Sequence, residues 1–429
     1  MALGVSYYLS RIIESFGLSF VIAFATAPLS IRIANKLGII DRPKDGRRMH
    51  TKPVPRFGGM AIFLGSMAAM MIPAGMNEKI RYAMIGGALM YGLGVIDDIK
   101  DLKPAYKFAG QFLIASAMYG LGIRITFISN YFGAATADAH ANVLLSAGVA
   151  YLITVFWIIG ITNAVNLMDG LDGLAAGSVA IMACSLAYVA YIHGTRLGSM
   201  PVCIALMAVA GGCLGFLPYN FSPARTFMGD GGALYLGYMI AILSVISPLK
   251  QATVVGALIP MLTLAVPIFD TVFAMLRRTL RHENIMKADK GHLHHHLMAA
   301  GFGQRRSVLI MYGIVGIMGV AAVLISRELY MDAFALFLIA FLYLSIIIVP
   351  KRPKKNLRTI LTQDVTDIQK ENFVDYLNYE RERRKQLRET GQAEDPTKFI
   401  DADPETTPAR HEHKKDHSKG RSKDHKPDK

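Results

Sequence analysis

The chain has 429 residues and a formal net charge of +14; 52% of its residues are hydrophobic and only 18% are charged. With a mean hydropathy of +0.34, this composition excludes an ordinary soluble domain and indicates a protein embedded in a membrane. The charges are unevenly placed, since residues 351–429 hold 20 Lys and Arg and 16 Asp and Glu. We therefore predict two parts: a membrane domain over 1–350, and a charged cytoplasmic tail over 351–429 that is partly disordered.

Eleven apolar segments approach the roughly 20 residues that a spanning helix needs. In chain order they are 15–35, 57–75, 80–96, 107–124, 142–160, 173–193, 199–217, 232–247, 252–274, 307–326 and 331–350. The fourth is interrupted by two glycines and the eighth is short. The sequence thus predicts an all-α polytopic membrane protein with ten or eleven transmembrane helices, the first of them uncleaved.

Lys and Arg collect in the loop after the first span and in the loop before the tenth. The positive-inside rule places both loops in the cytoplasm. With eleven spans, the N-terminus and the segment 125–141 then lie outside. The segments around 97–103, 161–172, 218–231 and 275–306 all lie on the cytoplasmic face. Seven aspartates at or beside helix ends share that face, and ionisable groups at a membrane are candidates for function.

The first motif is D-D-x-x-D at residues 97–101, at the end of an apolar helix. On a continuous helix Asp97 and Asp101 would share a face, with Asp98 beside them, so three carboxylates would occupy one small volume. Such a group can gather Mg²⁺ or supply a general base. The alternative is a solvated helix end.

The second motif is N-x-x-N-x-x-D-G-x-D-G at residues 163–173. Its amides can donate to phosphate or sugar hydroxyls, its carboxylates can bind a cation, and its glycines let a ligand approach closely. The alternative is a turn rich in Asp and Asn that merely joins two spans.

The third motif surrounds Asp230 with glycines where the next apolar helix opens. There Asp230 could hold a metal whose other ligands are phosphate oxygens, while neighbouring amides and the helix dipole favour the anion. The alternative is that Asp230 simply caps the helix.

Two further motifs lie in the basic loops. The segment 291–297 reads G-H-L-H-H-H-L, and it favours hydrogen bonding or proton donation to a diphosphate over zinc, because no Cys accompanies the consecutive histidines. The segment 47–59 reads R-R-M-H-T-K-P-V-P-R-F-G-G. Ordinary positive-inside charge explains its Lys and Arg but leaves its Pro and Gly unexplained.

These five segments, in this order, resemble the polyprenyl-phosphate N-acetylhexosamine 1-phosphate transferase superfamily over residues 15–310. The first-loop and histidine motifs are similar to those of bacterial UDP-GlcNAc:undecaprenyl-phosphate GlcNAc-1-phosphate transferases. The near alternative, phospho-MurNAc-pentapeptide translocase, shares the aspartate motifs but usually has a different first loop. A secondary transporter is the distant alternative, since intramembrane acids also mark ion pathways.

The resemblance implies transfer of GlcNAc 1-phosphate from a UDP-sugar to a polyprenyl phosphate, with release of UMP. It implies Mg²⁺ as cofactor, with Mn²⁺ as a substitute. It also implies a multi-pass protein of the bacterial inner membrane with cytoplasmic active-site loops. No nucleic-acid partner is expected, and a homodimer is possible. One departure from the family pattern is Ala233, where G-D-x-G-S has Ser.

The implied site residues fall into three groups. The catalytic group comprises Asp97, Asp98, Asp169, Asp172, His294 and His295. The substrate-binding group comprises His50, Arg56, Lys107, Asn163, Asn166, Arg277, His292 and His296. The metal ligands are Asp230 and Asp169.

The tail generates a first testable prediction. Because its charge density and weak periodicity argue against a packed fold, a chain ending at Pro350 should transfer sugar phosphate in detergent at nearly the full-length rate. The rate of UMP release by both proteins measures this. A large loss on truncation would show instead that 351–429 takes part in the cytoplasmic site.

Overall fold

Helices account for most of the regular structure in the computed structural model, which describes residues 2–41, 53–129, 142–193, 198–247, 297, 302–348 and 381. Those up to 348 belong to one unit, Met1–Lys351. The helices are α1 (Ala2–Leu37), α2 (Gly59–Ala74), α3 (Glu78–Lys100), α4 (Pro104–Gly120), α5 (Ala147–Met168), α6 (Leu174–Ile192), α7 (Met200–Asn220), α8 (Gly229–Ile246), α9 (Gln304–Ser326) and α10 (Tyr330–Ile348). They confirm the predicted all-α class.

Six of the described helices, α1, α5, α6, α7, α8 and α9, are long and apolar enough to cross a membrane. This finding confirms a polytopic membrane protein. Ten of the predicted spans coincide with the ten described helices, with shifted ends. Helices α2, α3, α4 and α10 are not among these six, so a count of spans above six stays a prediction. The predicted span 252–274 lies outside the described residues, as does the tail except Arg381.

One of the shifted helix boundaries has a structural cause. The span predicted from residue 142 begins with a strand, β4 (Asn142–Leu144), which pairs antiparallel with β3 (Phe127–Ser129), and α5 starts only at Ala147. The pairing register sets Phe127 opposite Leu144 and Ser129 opposite Asn142. A short apolar run is compatible with either a strand or a helix, and here pairing with a neighbouring segment decided the outcome.

Helix α8 lies at the centre of the described bundle, and 89% of its residues are buried. It packs against α2, α3 and α5. The fully buried Tyr235 of α8 shares a 2.6 Å hydrogen bond with Ser66 of α2. Because protein covers every side of this helix, its sequence is apolar all round instead of showing one apolar stripe.

Helix α7 crosses α1 at very close range. Gly211 and Gly215 lie one turn apart on α7, and a Cβ at either position would collide with the backbone carbonyl of Phe16 or Phe20 in α1. Small residues spaced in this way let two helix backbones approach each other within a membrane, where packing and not hydrophobic burial drives association.

The first loop is tied to the start of α8. Strand β1 (Ile40–Asp41) pairs with β2 (Val54–Pro55). The carbonyl of Pro55 then accepts a 2.8 Å hydrogen bond from the N–H of Phe227, and the N–H groups of Gly58 and Gly59 donate to the carbonyls of Phe227 and Met228 at 2.8 Å. The Pro and Gly punctuation of this loop therefore has a structural use: it holds the loop against the segment that precedes α8.

The contact between α3 and α8 generates a second prediction. A Cβ on Gly94 of α3 would overlap the carbonyl of Asp230, whereas a Cβ on Gly92 would meet nothing within 4 Å. Gly94→Ala should therefore destabilise the protein by about 1–3 kcal/mol through overpacking. Gly92→Ala, the matched control, should be neutral or slightly stabilising, because Ala favours the helix over Gly. Unfolding temperatures in detergent measure both effects, and equal temperatures for the two variants would contradict the packing described here.

Candidate active site

Five chain segments, two of them joined directly by the short connection between α3 and α4, meet at one end of the bundle. They are the loop after β2, the C-terminal end of α3, the N-terminal end of α4, the C-terminal end of α5 and the N-terminal end of α8. Each contributes at least one charged or amide side chain to the contacts described below. The predicted convergence of the aspartate motifs at one face is therefore seen in the structure.

The carboxylate of Asp230 contacts three side chains from three of these segments. Its Oδ2 accepts from Nη2 of Arg56 at 2.6 Å. Its Oδ1 accepts from Nζ of Lys107 at 2.9 Å and from Nδ2 of Asn166 at 2.5 Å. The side chain is 15% exposed. No described N–H of the α8 backbone donates to this carboxylate, so the alternative in which Asp230 merely caps its own helix is wrong.

The cap of α8 comes from Asp98 on α3. Its two oxygens accept 2.9 Å hydrogen bonds from the backbone N–H groups of Asp230 and Gly231, and Nε of Arg56 lies 3.2 Å from its Oδ1. The Asp98 side chain is only 1% exposed. Since these amides are already occupied, they are not free to receive a phosphate as the sequence had suggested. Burial raises the pKa of the Asp98 carboxyl to about 6, although Arg56 and the two amides oppose the shift.

Asp97 faces a different partner. Its Oδ2 lies 2.8 Å from Nζ of Lys107, and its Oδ1 accepts from the N–H of Leu102 at 2.9 Å. Lys107 thereby bridges Asp97 and Asp230. The expectation that Asp101 joins this group along one helical face is wrong. Helix α3 ends at Lys100, and Asp101 is exposed with a left-handed backbone (φ 48°).

Asp169 and Asp172 lie in the turn between α5 and α6. Oδ2 of Asp172 accepts from the N–H of Ala224 at 3.1 Å, which ties this turn to the segment before α8. Asp169 is partly exposed, and no described residue donates a hydrogen bond to its carboxylate. The protein around Asp169 raises its pKa by excluding water; Arg56 opposes this, and the negative charge of Asp230 adds to it.

Asn163 lies one turn before Asn166 on α5, but its partner is a residue that sequence reasoning missed. Nδ2 of Asn163 donates to Oε1 of Gln111 at 2.6 Å, and Nε2 of Gln111 donates back to Oδ1 of Asn163 at 3.4 Å. Gln111 is fully buried on α4. The available signal was a lone amide inside the apolar run 108–118, four residues after Lys107.

Several predicted site residues lie outside the described part of the chain. They are His50, Arg277, His292, His294, His295 and His296. Their contacts with diphosphate or sugar stay predictions.

Among the described residues, the site holds more carboxylates than cations. Arg56 contacts Asp98 and Asp230, and Lys107 contacts Asp97 and Asp230. The charge of Asp169 also acts on Arg56. Such an excess suits a divalent cation. In the described ranges, no three His, Cys, Asp or Glu side chains are close enough to hold a metal ion together.

Comparison with known proteins gives a family match and several similar transferases. The family model described as glycosyl transferase family 4 matches residues 80–248, a range that holds every described site residue above except Arg56. A probable undecaprenyl-phosphate N-acetylglucosaminyl 1-phosphate transferase of Bacillus subtilis is 39% identical over 332 residues, 77% of this chain and 89% of the relative. A decaprenyl-phosphate N-acetylglucosaminephosphotransferase of Mycobacterium tuberculosis is 34% identical, over 70% of this chain and 78% of the relative.

A phospho-N-acetylmuramoyl-pentapeptide-transferase of Desulforudis audaxviator is 31% identical over 71% of this chain and 94% of the relative. It shares the general activity class of the other relatives at lower identity. The chain therefore belongs to glycosyl transferase family 4, as a member of the polyprenyl-phosphate N-acetylhexosamine 1-phosphate transferase superfamily that its motifs resemble.

Proposed function

We propose that this protein transfers GlcNAc 1-phosphate from UDP-GlcNAc to undecaprenyl phosphate, giving undecaprenyl-diphospho-GlcNAc and UMP. The reaction would take place at the cytoplasmic face of a bacterial inner membrane and begin the synthesis of a surface polysaccharide such as teichoic acid. The relatives at 39% and 34% identity, both named for GlcNAc phosphate transfer to a polyprenyl phosphate, support this choice of substrates.

The observation that carries the proposal is the bridging position of Lys107. A single ammonium group contacts Asp97 on α3 at 2.8 Å and Asp230 on α8 at 2.9 Å. Arg56 brings a second cation to Asp230. Carboxylates and cations held in this way can position a diphosphate and an attacking phosphate, which is the main task of an enzyme in phosphoryl transfer.

We propose Mg²⁺ as the cofactor, with Asp230 and Asp169 as its protein ligands and Mn²⁺ as a substitute. Asp230 is partly accessible, and the carboxylate of Asp169 has no hydrogen-bond donor among the described residues. When bound, the ion would supply charge neutralisation on the diphosphate.

The chain's own residues would divide the remaining work. Arg56, 37% exposed, can reach a phosphate oxygen without leaving the site. Asp97 would serve the lipid phosphate through Lys107, which it holds at 2.8 Å. The lipid phosphate has a second pKa near 6 and is largely ionised at neutral pH, so little deprotonation is needed. Asp98 would act through α8, because both of its oxygens are taken by backbone amides.

Two alternatives compete with this proposal. The phospho-MurNAc-pentapeptide transferases are relatives too, but at 31% identity or lower in the examples found. A secondary transporter would place its acids near the membrane midplane in repeat-related helices. Here the acids converge at one end of the bundle, at helix termini, which disfavours that alternative.

A third prediction concerns the carboxylates. Asp97→Asn, Asp98→Asn and Asp230→Asn should each lower UMP release by about 100-fold or more, because each removes a charge from a site that binds phosphates. Asp101→Asn is the matched control: the residue is exposed, and Asn tolerates its left-handed backbone. This variant should keep near-normal turnover. Near-normal turnover in any two of the first three variants, in folded protein, would overturn the site assignment.

A fourth prediction concerns the sugar nucleotide. Purified protein with undecaprenyl phosphate and Mg²⁺ should release UMP from UDP-GlcNAc and form a lipid-linked GlcNAc diphosphate. UDP-MurNAc-pentapeptide under the same conditions should give no lipid product. Lipid extraction and mass spectrometry distinguish the two products, and the reverse preference would establish the pentapeptide transferase instead.

A further inference from the structure

The buried stripe of α4 contains one polar residue. Of its 17 residues, Gln111, Ile114, Ala115 and Met118 are buried, and they recur at the spacing of a single helical face. Much of the rest of the helix is exposed, including Tyr106, 65% exposed, and Leu113, 69% exposed. Apolar contacts along one stripe resist sliding and rotation only weakly, whereas a hydrogen bond is directional.

Gln111 forms such a directional contact. Its amide and that of Asn163 each donate to the other, and Nδ2 of Asn163 also donates to the carbonyl of Ile159 at 2.8 Å. Both amides thus find protein partners in a place where Gln111 has no access to solvent. Leaving one of them unpaired at such a depth would be costly, so the pair selects one register of α4 against α5.

The register of α4 against α5 also sets the position of residues in the candidate site. Lys107 lies one turn before Gln111 on α4, and Asn166 lies one turn after Asn163 on α5. The Lys107–Asn166 pair and the Gln111–Asn163 pair are therefore one turn apart along the interface between the two helices. In the pair nearer the site, Nζ of Lys107 donates to Oδ1 of Asn166 at 3.5 Å, and the same ammonium group donates to Asp230. The Gln111–Asn163 pair makes no described hydrogen bond to a carboxylate of the site.

We propose that Gln111 is a positioning residue for the transfer reaction: its paired amide contact with Asn163 sets the register of α4 on α5 and thereby holds Lys107 between Asp97 and Asp230. Asn163 then acts on the substrate only through this pair. The inference deepens the proposed function and rests on it for the activity readout.

The test uses the full chain in detergent with four variants. Gln111→Leu removes the amide and keeps similar volume. Gln111→Asn shortens the side chain, and Gln111→Asn combined with Asn163→Gln exchanges the two amides and restores their joint length. Ser116→Ala is the matched control, because Ser116 also makes a side-chain hydrogen bond between α4 and α5, 2.9 Å to Tyr151, farther from the site.

We expect Gln111→Leu to lower kcat for UMP release by about tenfold or more, with a smaller change in KM for UDP-GlcNAc. Gln111→Asn should fall between this variant and wild type, the exchanged pair should recover much of the loss, and Ser116→Ala should retain wild-type kcat. If Gln111→Leu does not fold, Gln111→Asn and the exchanged pair carry the comparison. Unchanged kcat in Gln111→Asn and Gln111→Leu, or an equal loss in Ser116→Ala, would overturn the proposal.

A second readout does not depend on transfer. An amine-reactive reagent followed by mass spectrometry reports the accessibility of Lys107. The exposed Lys79, in the first turn of α3 and far from the site, serves as internal standard. Labelling of Lys107 relative to Lys79 should rise in Gln111→Leu and return toward wild type in the exchanged pair. Unchanged labelling would overturn the positioning role. If wild-type protein releases no UMP, the proposed function fails, while this labelling still decides the role of Gln111.

Discussion

The carboxylate of Asp98, on α3, supplies the N-terminal acceptor that α8 does not provide for itself. A helix start leaves its first N–H groups without partners, and at a buried position they must be satisfied by the protein. Asp98 does so at the first turn of α8 while Arg56 offsets its charge. Because α8 is the most enclosed of the candidate spans, this contact fixes the helix around which the others pack.

The same contact sets the direction of Asp230. With its backbone N–H held by Asp98, its carboxylate is turned toward Arg56, Lys107 and Asn166. The close approach needs glycine: Gly229 has φ 75°, and a Cβ there would lie 2.7 Å from Oδ2 of Asp98. The glycines around Asp230 thus allow α3 and α8 to approach each other closely at this junction, and that approach determines the geometry of the site.

Charge balance explains why the junction also suits phosphate chemistry. Carboxylates at a membrane boundary are costly unless they are paired. Lys107 and Arg56 each contact two of them, so the four described ion pairs of the site involve only two cations. Shared cations leave an excess of negative charge that a divalent ion can offset. They also keep two cationic side chains at the same end of the bundle as the carboxylates, which suits the binding of both a metal ion and a diphosphate that we propose.

The sequence by itself determined the membrane class, the approximate position of the described helices and the aspartates at their ends, because apolar run length and boundary charge are local properties of the chain. It misjudged Asp101, which a helix ending at Lys100 exposes, and it missed Gln111, whose importance depends on Asn163 52 residues away. Only the tertiary structure decided that Asp98 caps α8 while Asp230 faces two cations. The physical reason is that the Asp98 contact joins backbone and side chain across 132 residues, and the packing of whole helices, not local pattern, selects such partners.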